Sequence, residues 1–346
     1  MIFPASLADI SQIMSCLYLT QSGIKISRFG RRIMVKQDEK ELLSCPIHHI
    51  DRILLWGRIQ ITSDALSLLL ARKIPLCLFN SHGRYRGSLE PDCEKDFRLR
   101  QKHYALLDNL DYSLSFARSL VEAKILSARA VLQRYQANHL ELKFYRTIND
   151  LLELSQAVRN APSIDSLRGQ EGIAARLYFE SWRTIFPQPP FQFVGRIRRP
   201  PRDPINALLS FSYMLLVGLI RGMLSSHALD PYGGFYHSHI RSAPALVLDI
   251  LEEFRHPIAD RFIFYCLHKK ILTLSDFDTL LTGAVTLKED SRKKYIIRWE
   301  NWLSTRQRWR RGSPPCSGYE LIHNEIDRLA EAIRNGKIYL PFSLEA

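Results

Sequence analysis

The sequence predicts an α+β chain, with a small N-terminal β-sheet domain over residues 1–90 followed by a larger all-helical C-terminal domain over residues 91–346. Three observations predict it. The 346-residue length is about twice that of an ordinary domain. Up to Glu90 the apolar residues tend to alternate with period two, as half-buried strands require. Beyond Pro91 they recur at spacings of three and four, the period of a helix face.

Each element follows in order. Leu17 and Leu19, Ile24 and Ile26, and Ile33 and Val35 are alternating pairs, punctuated by turns at Gly23 and Gly30. Ile53-Leu54-Leu55-Trp56 and Ile74-Pro75-Leu76-Cys77-Leu78-Phe79 read as buried strands. Thr62-Ser63-Asp64 caps a short helix from Ala65 to Arg72. His82-Gly83-Arg84 turns into a last strand near Tyr85 to Leu89, and a charged linker runs from Glu90 to Arg100. Residues 97–136 hold no Gly or Pro and carry the stripe Leu106, Leu110, Leu114, Ala117, Val121 and Ile125. Further helices are expected near 139–158, 170–184, 203–226, 243–268, 290–304 and 319–335, with Pro and Gly mainly outside them.

Charge narrows the partners. The 48 Lys and Arg residues exceed the 35 Asp and Glu by 13, which favours a polyanion, nucleic acid first. Ordinary apolar and charged fractions, 46% and 24%, argue against a disordered or coiled-coil chain. The longest apolar run, Ala207 to Ile220, falls short of the roughly 20 residues a membrane span needs, so a buried helix and no membrane are expected. The first residues lack the pattern of a signal peptide. Cysteines at 16, 45, 77, 93, 266 and 316 form no C-x-x-C pair, which excludes a zinc ribbon and fits reduced thiols in the cytoplasm.

Four stretches could carry chemistry. In Leu229-Asp230-Pro231-Tyr232-Gly233-Gly234-Phe235-Tyr236-His237-Ser238 a Gly-rich turn puts His237 on a loop. Asp249 and Glu252 then lie three apart on one face of the next helix. An apolar face has little reason to hold two carboxylates unless a cation or basic partner compensates them. Imidazole with carboxylates and no thiolate suits Mn²⁺ or Mg²⁺; the plain alternative is solvated surface carboxylates. In Arg168-Gly169-Gln170-Glu171-Gly172-Ile173-Ala174-Ala175-Arg176, the small residues either permit tight helix packing or recess Glu171 beside room for a phosphate. Arg196, Arg198, Arg199 and Arg202, held extended by Pro200, Pro201 and Pro204, could meet a phosphate backbone or internal acids. Asp203 and Asn206 could cap the helix that follows. Lys288 to Arg311 interleaves nine basic residues with Trp299, Trp302 and Trp309. The first two tryptophans have the spacing of a core stripe, and Trp309 among arginines stays open between core and base stacking.

Taken in order, these residues resemble a known family: the Cas-one family of CRISPR adaptation integrases and endonucleases. The match runs through Leu17-Tyr18-Leu19-Thr20 with Gly23, Ile53 to Gly57, Ile74-Pro75 with Gly83, Arg100-Gln101, and Ala123-Lys124. It continues through Glu171-Gly172, Arg198-Arg199-Pro200-Pro201 with Asp203-Pro204-Ile205-Asn206, Leu229-Asp230-Pro231-Tyr232 with His237, and Leu248-Asp249 with Glu252-Glu253-Phe254-Arg255. The resemblance implies a β domain used in dimerisation and a helical catalytic domain carrying the metal site. It implies Glu171, His237 and Glu252 as ligands of Mn²⁺ or Mg²⁺, with Asp249 supporting them, and His239 as a nearby imidazole that could be confused with His237. Arg196, Arg198, Arg199, Arg202 and Asn206 are the expected DNA-binding residues. The partners implied are prespacer and CRISPR-repeat DNA, the small protein Cas-two, and a second copy in a homodimer. The implied reaction is strand transfer of a spacer 3′-hydroxyl into the repeat, with nicking as a side activity. The competing expectation is a non-catalytic basic nucleic-acid-binding subunit.

Overall fold

The computed structural model describes residues 16–19, 21, 23–38, 40–80, 85–89, 96–197, 200–237 and 243–346. Contacts divide the chain into two compact units, 1–95 with 287–304, and 96–286 with 305–346. The architecture is an N-terminal β-sheet region followed by a mostly helical part, as the periodicities predict.

The first unit holds β1 (Cys16–Leu19), β2 (Ile24–Phe29), β3 (Arg32–Gln37), β4 (Lys40–Pro46), β5 (Arg52–Trp56), β6 (Ile59–Ile61), α1 (Ser63–Ala71), β7 (Leu76–Phe79) and β8 (Tyr85–Leu89). One sheet has the order β1-β5-β7-β8 and the other β4-β3-β2-β6. In the first, β1, β5 and β7 run parallel and β8 returns antiparallel. Leu17 and Leu19, Ile24 and Ile26, and Ile33 and Val35 each turn both members of the pair into a shared core with Ile53 and Leu55. Thr62 caps α1, its hydroxyl accepting from the Ala65 N–H at 3.3 Å. Strands β4 and β6 were not foreseen. β4 is only half-buried along most of its length, so its sequence shows no alternation. The expected turn at His82-Gly83-Arg84 and most of the Glu90–Arg100 linker lie outside the described residues.

The helical part comprises α2 (Phe97–Leu107), α3 (Leu110–Asn138), α4 (Tyr145–Ala157), α5 (Ile164–Ile185), α6 (Pro204–Ser226), α7 (Ala245–Phe254), α8 (Arg261–His268), the short strands β9 (Phe277–Thr279) and β10 (Val285–Leu287), α9 (Glu289–Ser304) and α10 (Gly318–Asn335). Three differences from the sequence reading have local causes. The stripe over 97–136 breaks into α2 and α3 because the Asn109 side chain caps the Tyr112 N–H at 3.0 Å, which leaves Leu110 exposed. The expected helix 243–268 contains a π-helical turn, Arg255–Asp260, around Pro257, whose missing N–H cannot complete an α-helical ladder. The all-helical expectation misses the β9–β10 ribbon, two three-residue strands too short to leave a pattern.

A division at residue 90 also places α9 with the helices, whereas its contacts group it with the first unit. There Tyr295, Ile296, Trp299 and Leu303 bury one face, and the Glu300 carboxylate accepts from the Tyr18 hydroxyl. In the second unit α3 packs against α4, α5 and α7, and α6 against α7. Helix α6 is long and apolar enough to cross a membrane, yet 78% of its apolar window is buried inside the protein. It is a core helix, started by Asp203, whose carboxylate accepts from the Asn206 N–H at 2.8 Å.

Candidate active site

Helices α3, α5 and α7 each send one charged side chain to a common point. Lys124 lies on the buried stripe of α3, where an ammonium is tolerated only if it is paired. It contacts Glu171 of α5, and its Nζ lies 2.7 Å from Glu252 Oε2 of α7. At that distance the ammonium neutralises the buried carboxylate oxygen. Arg255, at the start of the π turn, reaches Glu252 Oε1 at 3.0 Å and lies 4.6 Å from the centroid of the Tyr213 ring.

These cations decide the protonation of the carboxylates. Burial alone pushes Glu252 upward, but the Arg255 guanidinium and the Lys124 ammonium outweigh it and hold the carboxyl well below its usual range. Glu171 is likewise opposed by burial and lowered by Lys124, with the Tyr236 hydroxyl donating to its second oxygen. Burial pulls Lys124 down, and the two glutamates outweigh that and keep it charged.

The loop between α6 and α7 brings His237 to the cluster. Asp249, fully buried on α7, accepts backbone N–H bonds from Phe235 at 2.7 Å, Tyr236 at 3.1 Å and His237 at 3.0 Å. Its Oδ1 also lies 2.7 Å from His237 Nδ1. A carboxylate can only accept, so Nδ1 carries a proton, and in the neutral ring the lone pair falls on Nε2. Nε2 lies 4.0 Å from Glu252 Oε1. The turn depends on glycine at 234, where a Cβ would sit 2.5 Å from the Ala245 carbonyl carbon.

The residue set fits a divalent ion by its own chemistry. It offers two ionised carboxylates, with the Lys124 ammonium between them, and one imidazole oriented through Nδ1 by Asp249. Glycines 169 and 172 on α5 are exposed, and a Cβ at either meets nothing within 4 Å, so they do not serve helix packing. Glu171 and Glu252 thus meet through the Lys124 ammonium, and His237 stands beside Glu252 with Asp249 bonded to its imidazole.

Comparison with known proteins places the chain in a family. A sequence model of the family described as CRISPR associated protein Cas1 matches residues 17–301. The chain belongs to the Cas1 family. It is 32% identical over 297 residues to CRISPR-associated endonuclease Cas1 1 of Chlorobaculum tepidum, covering 83% of this chain and 85% of that protein. A chain of a solved Cas6-RT-Cas1–Cas2 complex shares the fold, with TM-score 0.82 and 24% identity over 98% of this chain, which spans only 37% of that longer chain. A casposase bound to integration product has TM-score 0.84 and 22% identity over 95% of this chain and 93% of its own.

The DNA-binding expectations fare unevenly in this Cas1-family chain. Arg198 and Arg199 lie outside the described residues, as does His239. Arg202 is exposed. Arg196 folds back on α6, donating to Asn206 Oδ1 at 2.8 Å and to Ser210 Oγ at 3.4 Å. Asn206 is fully buried, accepting from the Ile197 N–H at 2.9 Å and donating to the Gly195 carbonyl at 2.7 Å. It fastens the arginine segment to α6, and its burial removes it from contact with a polyanion. Trp309 is also buried, its Nε1–H donating to the Cys316 carbonyl at 3.0 Å, so core packing accounts for it where base stacking does not.

Three site members escaped the sequence reading as functional residues: Lys124, Arg255 and Tyr236. Lys124 carried a signal, a lysine on an otherwise apolar stripe. The other two carried none, since an arginine at a helix end and a tyrosine in a loop are ordinary.

Proposed function

We propose that this chain is a metal-dependent DNA integrase and endonuclease of CRISPR adaptation, joining spacer 3′-hydroxyls to the CRISPR repeat by phosphodiester transesterification. Mn²⁺ or Mg²⁺ would be held by Glu171, His237 and Glu252. The observation that carries this reading is the orientation of His237: its Nδ1–H donates to Asp249, which turns Nε2 toward the ionised Glu252 carboxylate, 4.0 Å away. When bound, the ion supplies Lewis-acid polarisation of a phosphodiester oxygen and stabilises charge developing on the oxygens of the displacement.

The chain's own residues set the stage for that chemistry. Asp249 fixes the imidazole tautomer and, through three backbone N–H bonds, the loop that carries it. Lys124 and Arg255 keep Glu171 and Glu252 ionised. Arg202 offers an exposed guanidinium for backbone phosphates, and the net charge of +13 supports polyanion binding by the whole chain. The name of the Chlorobaculum relative supports endonuclease activity, and the Cas1–Cas2 complex and casposase structures support DNA and the Cas2 protein as partners. A homodimer formed through the first domain and a cytoplasmic location belong to the same reading; the five described cysteines, all free thiols, suit the latter.

The test uses purified chain and branched DNA bearing a free 3′-hydroxyl, with and without divalent ion. Glu171→Ala and His237→Ala should abolish strand transfer while leaving duplex affinity largely intact, and chelation should stop turnover of the unaltered protein. Activity surviving both substitutions would leave the competing reading, a non-catalytic nucleic-acid-binding subunit.

A further inference from the structure

Apart from the glutamate cluster, two histidines and an aspartate meet where the end of α6 faces α10. His227 closes α6, while His323 and Asp327 stand one turn apart on one face of α10. One ligand atom from each lies within 4.8 Å of the others. His227 Nε2 is 2.9 Å from Asp327 Oδ1, and His323 Nδ1 is 3.0 Å from Oδ2 of the same carboxylate. The two imidazoles meet edge to face, with centroids 4.9 Å apart.

The protons give this cluster its meaning. His227 Nδ1 lies 2.6 Å from the Met223 carbonyl oxygen, which can only accept, so Nδ1 bears hydrogen. The neutral ring then turns its lone pair, on Nε2, toward a carboxylate oxygen 2.9 Å away. Two acceptors at that distance repel unless positive charge lies between them. A carbonyl that fixes one ring nitrogen and aims the other is the usual outer support of a metal-binding histidine. The position at the carboxyl end of α6 adds the negative end of a helix dipole, which favours a cation further.

We propose that His227, His323 and Asp327 bind a zinc ion that clips α10 to the end of α6. Two imidazoles and one carboxylate suit zinc over the all-oxygen preference of Mg²⁺ or Ca²⁺, so the site differs in kind from the one built on Glu171 and Glu252. The exposure of His323 and Asp327 leaves a fourth position open to water. No residue is shared with the glutamate cluster.

The test is zinc calorimetry and thermal unfolding on the full chain, stripped of metal and held in excess Mg²⁺. The chain as it stands should bind one more equivalent of zinc than His323→Gln or Asp327→Asn, and zinc should raise its unfolding midpoint. Each variant should lose that rise and about tenfold or more of the affinity at this site. Without zinc the variants should unfold with the unaltered chain, and their Mg²⁺-supported strand transfer should be unchanged, which separates this site from the proposed active centre. Equal zinc stoichiometry and equal midpoint shifts in the unaltered chain and both variants would overturn the proposal, because a proton alone would then hold the cluster together.

Discussion

Replacing Asp249 by Asn tests the assembly of the site most directly. The carboxylate serves four donors: the backbone N–H groups of Phe235, Tyr236 and His237, and His237 Nδ1. An asparagine carbonyl serves at most two, and its amide nitrogen would turn hydrogens toward hydrogens. Two charge-assisted bonds lost at about 1.5–3 kcal/mol each give a cost of about 3–6 kcal/mol. That is a large share of the roughly 5–15 kcal/mol that holds a domain together. The loop would loosen and His237 would lose its fixed tautomer, lowering divalent-ion affinity by about 10–100-fold. Urea unfolding monitored by circular dichroism measures the first effect, and calorimetric titration with Mn²⁺ the second. A variant within about 1 kcal/mol of the unaltered protein, with unchanged Mn²⁺ affinity, would refute the idea that Asp249 builds the site.

Other perturbations follow from the same geometry. Lys124→Met removes the ammonium shared by Glu171 and Glu252, which should cost about 3–5 kcal/mol in the absence of metal; added Mn²⁺ should restore more stability to the variant than it adds to the unaltered chain, as unfolding titrations would show. Gly234→Ala places a Cβ 2.5 Å from the Ala245 backbone and should cost about 1–3 kcal/mol or more by denaturant unfolding, together with strand-transfer activity. Glu253 is pushed well above the usual carboxyl range by burial and by the nearby Glu325 charge. It therefore stays protonated in the folded chain at pH values where the unfolded chain has ionised, so its contribution is most favourable below the unfolded value of about 4.3 and declines as pH rises above it. Glu253→Gln should gain stability relative to the unaltered protein between pH 4 and pH 8; no gain across that interval in unfolding experiments would show that Glu253 is not held neutral.

The sequence revealed those parts of the molecule in which one face is buried and the other is not. Strands β1, β2 and β3 and helix α10 each carry a regular apolar pattern, so their places followed from spacing, and α6, buried nearly all round, showed as the longest apolar run. Strand β4, with most residues half-buried, follows from neighbours distant in the chain, which spacing does not record, whereas the π turn follows from Pro257 itself. The site divides along the same line. Asp249 and Glu252 stood out because carboxylates on an apolar helix face demand compensation. Which groups compensate them could be read only from coordinates, because Lys124 is 128 residues from Glu252 along the chain, and Asp249 is met by backbone N–H groups that every residue but proline possesses.

The arginine segment shows the limit of reading charge as function. Arg196 and Asn206 looked like one recognition motif with Arg202, yet they divide between two tasks. Asn206 uses both ends of its amide inside the protein, and Arg196 bonds to it while its guanidinium lies 5.8 Å from the Tyr213 ring. Tyr213 also receives Arg255 on its ring, and its hydroxyl donates to Asp260 at 2.8 Å. Asp260 accepts from Tyr178 at 3.0 Å and lies 2.7 Å from His256 Nδ1, closing a buried network around the π turn that presents Arg255 to Glu252. An apparent DNA-contacting arginine thus shares a tyrosine with the guanidinium that keeps a metal-ligand candidate ionised. Substituting Arg196 should disturb Glu252 as well as DNA affinity, whereas substituting the exposed Arg202 should weaken DNA binding alone and flatten its salt dependence by about one phosphate contact. Equal effects of the two substitutions on divalent-ion affinity would break that link.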